Sequence, residues 1–136
     1  MSTERRKQMQ TFPAGTTGRV IKAYQQPYPN PIKVQAGDRV FPDPTRESEW
    51  AGWVWCTDEN GKAGWTPQAW LKQEGDGWCI TRDYDAIELT VHIGDTVTVE
   101  FAESGFLWVK TSDGRWGWVP ESHVQLSDST RHENLY

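Results

Sequence analysis

The stretch Gly61–Trp70 reads GKAGWTPQAW, and Gly114–His123 reads GRWGWVPESH. Both spell Gly-x-x-Gly-Trp-x-Pro, and they close on Trp70 in the first copy and His123 in the second. The match extends outward. Trp53–Leu71 (WVWCTDENGKAGWTPQAWL) lies on Phe106–Val124 (FLWVKTSDGRWGWVPESHV) without a gap at an offset of 53, and Gly52 and Gly105 prolong it. Upstream, Ala36-Gly37-Asp38-Arg39-Val40 lies on Ile93-Gly94-Asp95-Thr96-Val97 at an offset of 57, and Tyr24 lies on Tyr84 at an offset of 60. The second copy is therefore three residues shorter after its Tyr and four shorter after its Gly-Asp-x-Val segment. Loops that change length while strands keep register are the mark of a duplicated domain.

Each copy reads as short strands. Residues 89–93 (LTVHI) and 97–101 (VTVEF) alternate apolar and polar with period two, as half-buried strands do. Ser112-Asp113-Gly114 is a hairpin turn between residues 107–111 and 116–119, and Glu59-Asn60-Gly61 takes the same place in the first copy. No segment carries a helical period. The expected fold is all-β, two consecutive barrels of roughly five short strands, about 55–60 residues each. Alternation places Val54 and Cys56, and Leu107 and Val109, in two cores. It turns Trp53, Trp55, Trp65, Phe106, Trp108, Trp116 and Trp118 to the outside. Such rings serve as cross-strand pairs or as an interface as readily as they serve a ligand.

The ordered series is an aromatic segment, a Gly-Asp hinge, a Trp-rich strand, a tight turn, then Gly-x-x-Pro-x-x-aromatic. It resembles the Src-homology 3 (SH3) fold in its bacterial variant, twice in tandem, over Gly18–Leu71 and Trp78–Leu126. The implied organisation is an N-terminal tail over residues 1–17, a first SH3-like domain over 18–72, a short linker over 73–77, a second domain over 78–126 and a C-terminal tail over 127–136. The short linker implies closely packed barrels, and the polar tails are expected to fray. Of the family's Ala-Leu-Tyr-Asp-Tyr segment only Tyr24 and Tyr84 survive. The family's ligand-stacking Trp falls on Trp53 and Phe106, its pocket Pro on Pro67 and Pro120, and its last Tyr on Trp70 and His123.

The resemblance implies a groove for polyproline-II peptides, whose pre-extended chain stacks pyrrolidine rings on aromatic ridges at little entropic cost. Tyr24, Trp53, Pro67 and Trp70, with Tyr28 and Trp55, are the expected ridges of the first groove. Tyr84, Phe106, Trp108, Pro120 and His123 are their counterparts in the second. Lys22 and Arg82 stand where the family has a pocket aromatic. The proline-rich run Tyr24–Pro31 (YQQPYPNP) is a stiff loop or an internal ligand of a neighbouring groove.

Other classes are poorly served. Net charge is −5 over 136 residues, and the one basic cluster, Arg5-Arg6-Lys7, sits in the tail, which disfavours nucleic acid and anionic membranes as partners. Cys56 and Cys79 form no CxxC pair and read as reduced thiols of a cytoplasmic protein, with Cys56 buried. There is no apolar span and no secretory signal. His92, His123 and His132 share no metal-ligand spacing, and no nucleophile or phosphate-loop motif occurs. Asp38 and Asp95, each after a Gly, cap turns. The sequence thus points to a non-enzymatic module without metal or cofactor that binds a protein or peptide ligand, mainly through its first domain. The competing reading is a structural or scaffold subunit whose tryptophan faces form an interdomain or homodimer interface. A weaker third reading is an aromatic cage for a methylated or quaternary cation.

Overall fold

The computed structural model describes residues 9–127. Its strands are β1 (Gln10–Thr11), β2 (Thr17–Val20), β3 (Lys33–Val34), β4 (Arg39–Asp43), β5 (Trp53–Thr57), β6 (Ala63–Pro67), β7 (Leu71–Glu74), β8 (Gly77–Ile80), β9 (Tyr84–Asp85), β10 (Thr96–Glu103), β11 (Phe106–Thr111), β12 (Trp116–Pro120) and β13 (Val124–Leu126). No α-helix occurs among the described residues; single 3-10 turns at Gln68–Trp70 and Glu121–His123 follow the two prolines of the repeated phrase. The predicted hairpins are present, with Trp55 opposite Trp65 and Trp108 opposite Trp118.

The strand order departs from two independent repeats. The link between them is itself a hairpin. Strand β7 pairs with β8 in the register Leu71↔Ile80, Lys72↔Cys79, Gln73↔Trp78 and Glu74↔Gly77, leaving Gly75-Asp76 as the whole loop. Gly75 has φ +62°, the conformation a II′ turn requires at its first position and one that a side chain resists. So short a turn seats the first strand of the second repeat beside the last strand of the first. Strand β8 then pairs onward with β4, Arg39 facing Cys79 and Val40 facing Trp78. The first strand of the first repeat, β2, sits instead between β10 and β13, with Val97 facing Gly18 and Val124 facing Val20. The two repeats have exchanged their opening strands.

Two compact units result. Among the described residues, one comprises 27–87 and the other 9–26 with 88–127. These units and the sequence repeats are different divisions of the same chain. The exchange is reciprocal at the Gly-Asp hinges. Gly37 N–H donates to the Ile80 carbonyl (2.7 Å) and Ile80 N–H to the Asp38 carbonyl (3.0 Å). In the other unit Gly94 N–H donates to the Val20 carbonyl (2.8 Å) and Val20 N–H to the Asp95 carbonyl (2.8 Å). Asp38 and Asp95 cap these turns as expected, accepting from the backbone N–H of Gln35 (2.8 Å) and His92 (2.9 Å).

Each core is accordingly built from both repeats. Val20 is fully buried with Leu89, Val91, Val97, Val99, Leu107, Val109 and Val119. Ile80 is fully buried in the unit that also buries Ile32, Val40 and Cys56. The frayed tails expected beyond the repeats lie outside the described residues over 1–8 and 128–136. Within the described part, Gln10 and Thr11 pair with Ala102 and Phe101, and Phe12 packs on the core, so this stretch is held by strand pairing and apolar contact.

Removing a fully buried Ile side chain costs about 2–5 kcal/mol. Ile80→Ala should destabilise the unit holding Val40 and Cys56, although Ile80 belongs in sequence to the second repeat. Native-state hydrogen exchange is expected to show lost protection at Val40 and Cys56 with that of Val97 and Val109 retained; the reverse pattern would mean the strands are not exchanged.

Candidate functional site

In the unit of residues 27–87, strands β5 and β6 carry Trp53, Trp55, Trp65 and Pro67, and the 3-10 turn after Pro67 delivers Trp70. Trp53 lies in register with Pro67 and is 8% exposed; Trp70 is 5% exposed. Trp70 meets Tyr84 edge-on, centroids 5.4 Å apart and planes at 90°. The Tyr84 hydroxyl, 2.5 Å away, donates to the Trp65 carbonyl. The Arg82 guanidinium lies over the Trp70 ring at 4.2 Å. Trp53, Pro67, Trp70 and Tyr84 thus form a buried aromatic floor.

A more open cluster stands on the same hairpin. Trp55 and Trp65, directly opposite one another, meet at 5.0 Å and 75°, and Tyr28 meets Trp55 at 5.2 Å and 62°. All three are half-buried. Tyr28 reaches them because its loop packs closely on β6. A Cβ at Gly64 would lie 3.1 Å from both Ile32 and Ala86, tighter than ordinary van der Waals contact, so a side chain there requires those neighbours to give way. Arg46, from the loop between β4 and β5, lays its guanidinium 3.7 Å from the Trp55 ring centre and 5.4 Å from that of Trp65, and donates to the Tyr28 hydroxyl (3.1 Å).

In the other unit Tyr24 meets His123 at 5.4 Å and 90°, the geometry of Tyr84 and Trp70. His123 Nδ1 lies 3.2 Å from the Lys22 carbonyl oxygen. The Tyr24 hydroxyl donates to Glu88 Oε1, and Gln26 Nε2 donates to the Glu88 carbonyl (2.6 Å). Burial pushes the Glu88 carboxyl above the usual carboxylate range, with the Tyr24 bond opposing it. Phe106, in register with Pro120, is 6% exposed. Trp108 stacks on Trp116 at 6.0 Å and 14°, and Trp116 is the exposed member.

The expected ridge residues are therefore regrouped. Tyr24 does not join Trp53, Pro67 and Trp70; Tyr84 does, and Tyr24 joins His123. Trp53 and Phe106, read as outward-facing, are buried. So is Trp118, at 2%, because Phe101 and Trp108 meet it edge-on at 5.4 and 5.3 Å. Sequence reading passed over Arg46. A signal existed for Arg46: it is the only Lys or Arg between Arg39 and Lys62, in the loop that is four residues longer than its counterpart. Cys56 is fully buried and its thiol is pushed up to about 11 by burial. No group of three or more His, Cys, Asp or Glu suited to a metal occurs among the described residues. No helix there is long and apolar enough to cross a membrane.

A family model described as the variant SH3 domain matches residues 17–74 and 79–127. The chain belongs to that family, as a tandem of two such domains. No curated protein and no solved structure matches it.

A buried carboxyl whose value is raised in the fold contributes stability that is complete below its ordinary value of 4.5 and is lost as pH rises through the raised one. Glu88→Gln, which keeps an acceptor for Tyr24, should flatten that decline. Thermal melts of both proteins across pH 4 to pH 8, on the order of the carboxylate titration range, are expected to diverge toward neutrality, with the variant melting higher.

Proposed function

We propose that this tandem is a non-enzymatic protein-interaction module that docks an extended, proline-containing segment of a partner on the aromatic face of residues 27–87. SH3-type domains generally mediate protein interactions. The observation that carries the finer reading is the hairpin register, which sets the half-buried pair Trp55 and Trp65 beside the buried pair Trp53 and Pro67 on one face, with Tyr28 against Trp55. Rigid rings whose edges are already fixed by neighbours lose little freedom on binding, and prolines present flat apolar faces to them. The groove is composite, since Tyr84 comes from the second repeat. In the other unit His123 replaces the closing Trp and Phe106 replaces the strand Trp, which supports the first site as the stronger. Two free cysteines suit a reducing, cytoplasmic setting.

The burial of Trp53, Trp70, Tyr84 and Phe106 favours one alternative, a structural subunit whose remaining exposed rings pack on a second copy. The two readings separate in one experiment. Calorimetric titration of the full chain with proline-rich peptides should give saturable binding that Trp55→Ala weakens by about 2 kcal/mol, roughly thirtyfold in Kd. No heat with any peptide, together with a concentration-dependent dimer in sedimentation, would overturn peptide docking in favour of the subunit.

A further inference from the structure

Trp55 meets Tyr28 at 62° and Trp65 at 75°, so the three rings are not coplanar and do not make a flat platform. A cation already lies against all three, over the faces of Trp55 and Trp65 and at the hydroxyl of Tyr28. Arg46 stands 3.7 Å over Trp55 and 5.4 Å from Trp65, within the range in which ring quadrupoles attract positive charge. Among the described ion pairs none includes Arg46. The side chain is exposed on a surface loop and is held by the Tyr28 hydroxyl, the two ring faces and the charge of Asp43, all contacts a solvent-facing cation can exchange.

The corresponding place in the other unit is built differently. The loop there is four residues shorter and brings no Arg. Trp108, the counterpart of Trp55, is stacked against Trp116 and Phe101, and Trp118, the counterpart of Trp65, is buried. One repeat fills the space with rings, whereas the other leaves it open to a charge.

We propose that Tyr28, Trp55 and Trp65 are an aromatic cage for a trimethylammonium side chain, as on a methylated lysine of the partner, and that Arg46 is its displaceable resident. This deepens the peptide-docking reading by naming the ligand chemistry of the same site. The choice of a methylated cation follows from the polar inventory. Among the described residues the Tyr28 hydroxyl is the acceptor that the Arg46 guanidinium engages. Asp43, three residues before Arg46, is turned into its own loop by Thr45, whose backbone N–H (3.0 Å) and hydroxyl (2.7 Å) both donate to it, with the Arg46 charge acting on it as well. An unmodified ammonium would give up hydration at three N–H groups for a single acceptor, whereas a trimethylammonium group has none to satisfy. Charge agrees as well. The loop carries Asp43, Glu47 and Glu49 against Arg46, and the chain has net charge −5. Displacing the resident leaves a locally acidic rim for a positive ligand.

The test is titration of the full chain with tetramethylammonium chloride, with sodium chloride as the ionic-strength control, followed by the indole N–H resonances of Trp55 and Trp65. Both should shift saturably with tetramethylammonium alone. Arg46→Ala, an exposed loop change, should tighten the apparent affinity severalfold, because the cage no longer has to expel its resident. N-acetyl-trimethyllysine amide should outcompete the unmethylated lysine amide. Silence of both indoles in wild type and in Arg46→Ala would overturn the cage, as would equal binding of the two lysine amides. Proline-peptide binding without a tetramethylammonium response overturns the cage and leaves peptide docking standing. A tetramethylammonium response with no peptide binding supports the cage and overturns peptide docking.

Discussion

The turn at Gly75-Asp76 is the constraint on which the architecture depends. A two-residue β-turn reverses the chain within one strand spacing, so strands β7 and β8 have to be antiparallel neighbours. The place beside the last strand of an SH3-like unit belongs to its opening strand, as Val124↔Val20 and Gln125↔Arg19 show in the other unit. The turn therefore gives the first unit the opening strand of the second repeat. The opening strand of the first repeat, displaced from its own unit, completes the other. Residues 27–87 become a continuous unit whose strand order is circularly permuted, inserted between Gln26 and Glu88 of a unit with the usual order. Loop tips are where such insertions are tolerated.

The exchange costs no core contact, because the repeats are alike where they trade. Val20 and Ile80 occupy equivalent places, both fully buried, and both make the same pair of backbone bonds to a Gly-Asp hinge. Aliphatic residues of similar volume substitute for one another readily in a packed core. Differences gather in the aromatic pairs instead. Tyr84 meets Trp70 and Tyr24 meets His123, so each pair takes one ring from each repeat. The roles of the two closing residues in the repeated phrase are thus set by a partner from the other copy.

The second divergence is local. Four additional residues between Val40 and Trp53 put a cation over Trp55, where the shorter loop leaves Trp108 to stack on its own neighbours. A surface loop changed length, the strands beneath it did not, and the neighbour over one Trp changed from a ring to a guanidinium. The two Trp-rich hairpins are the same scaffold with different surroundings.

By itself the sequence determined the all-β class, the duplication, the two hairpins turning at Glu59-Asn60-Gly61 and Ser112-Asp113-Gly114, the capping aspartates and the buried Cys56. These follow from period-two alternation and turn chemistry, which are local. The regrouping of Tyr24 with His123 was not legible, because a repeat alignment says which positions are equivalent and not which copy supplies the strand beside them. The burial of Trp53, Phe106 and Trp118 was not legible either, since alternation assigns a side of the sheet while burial depends on what covers that side. Only the tertiary structure decided these points, through one two-residue turn too short to let the second repeat keep its own first strand.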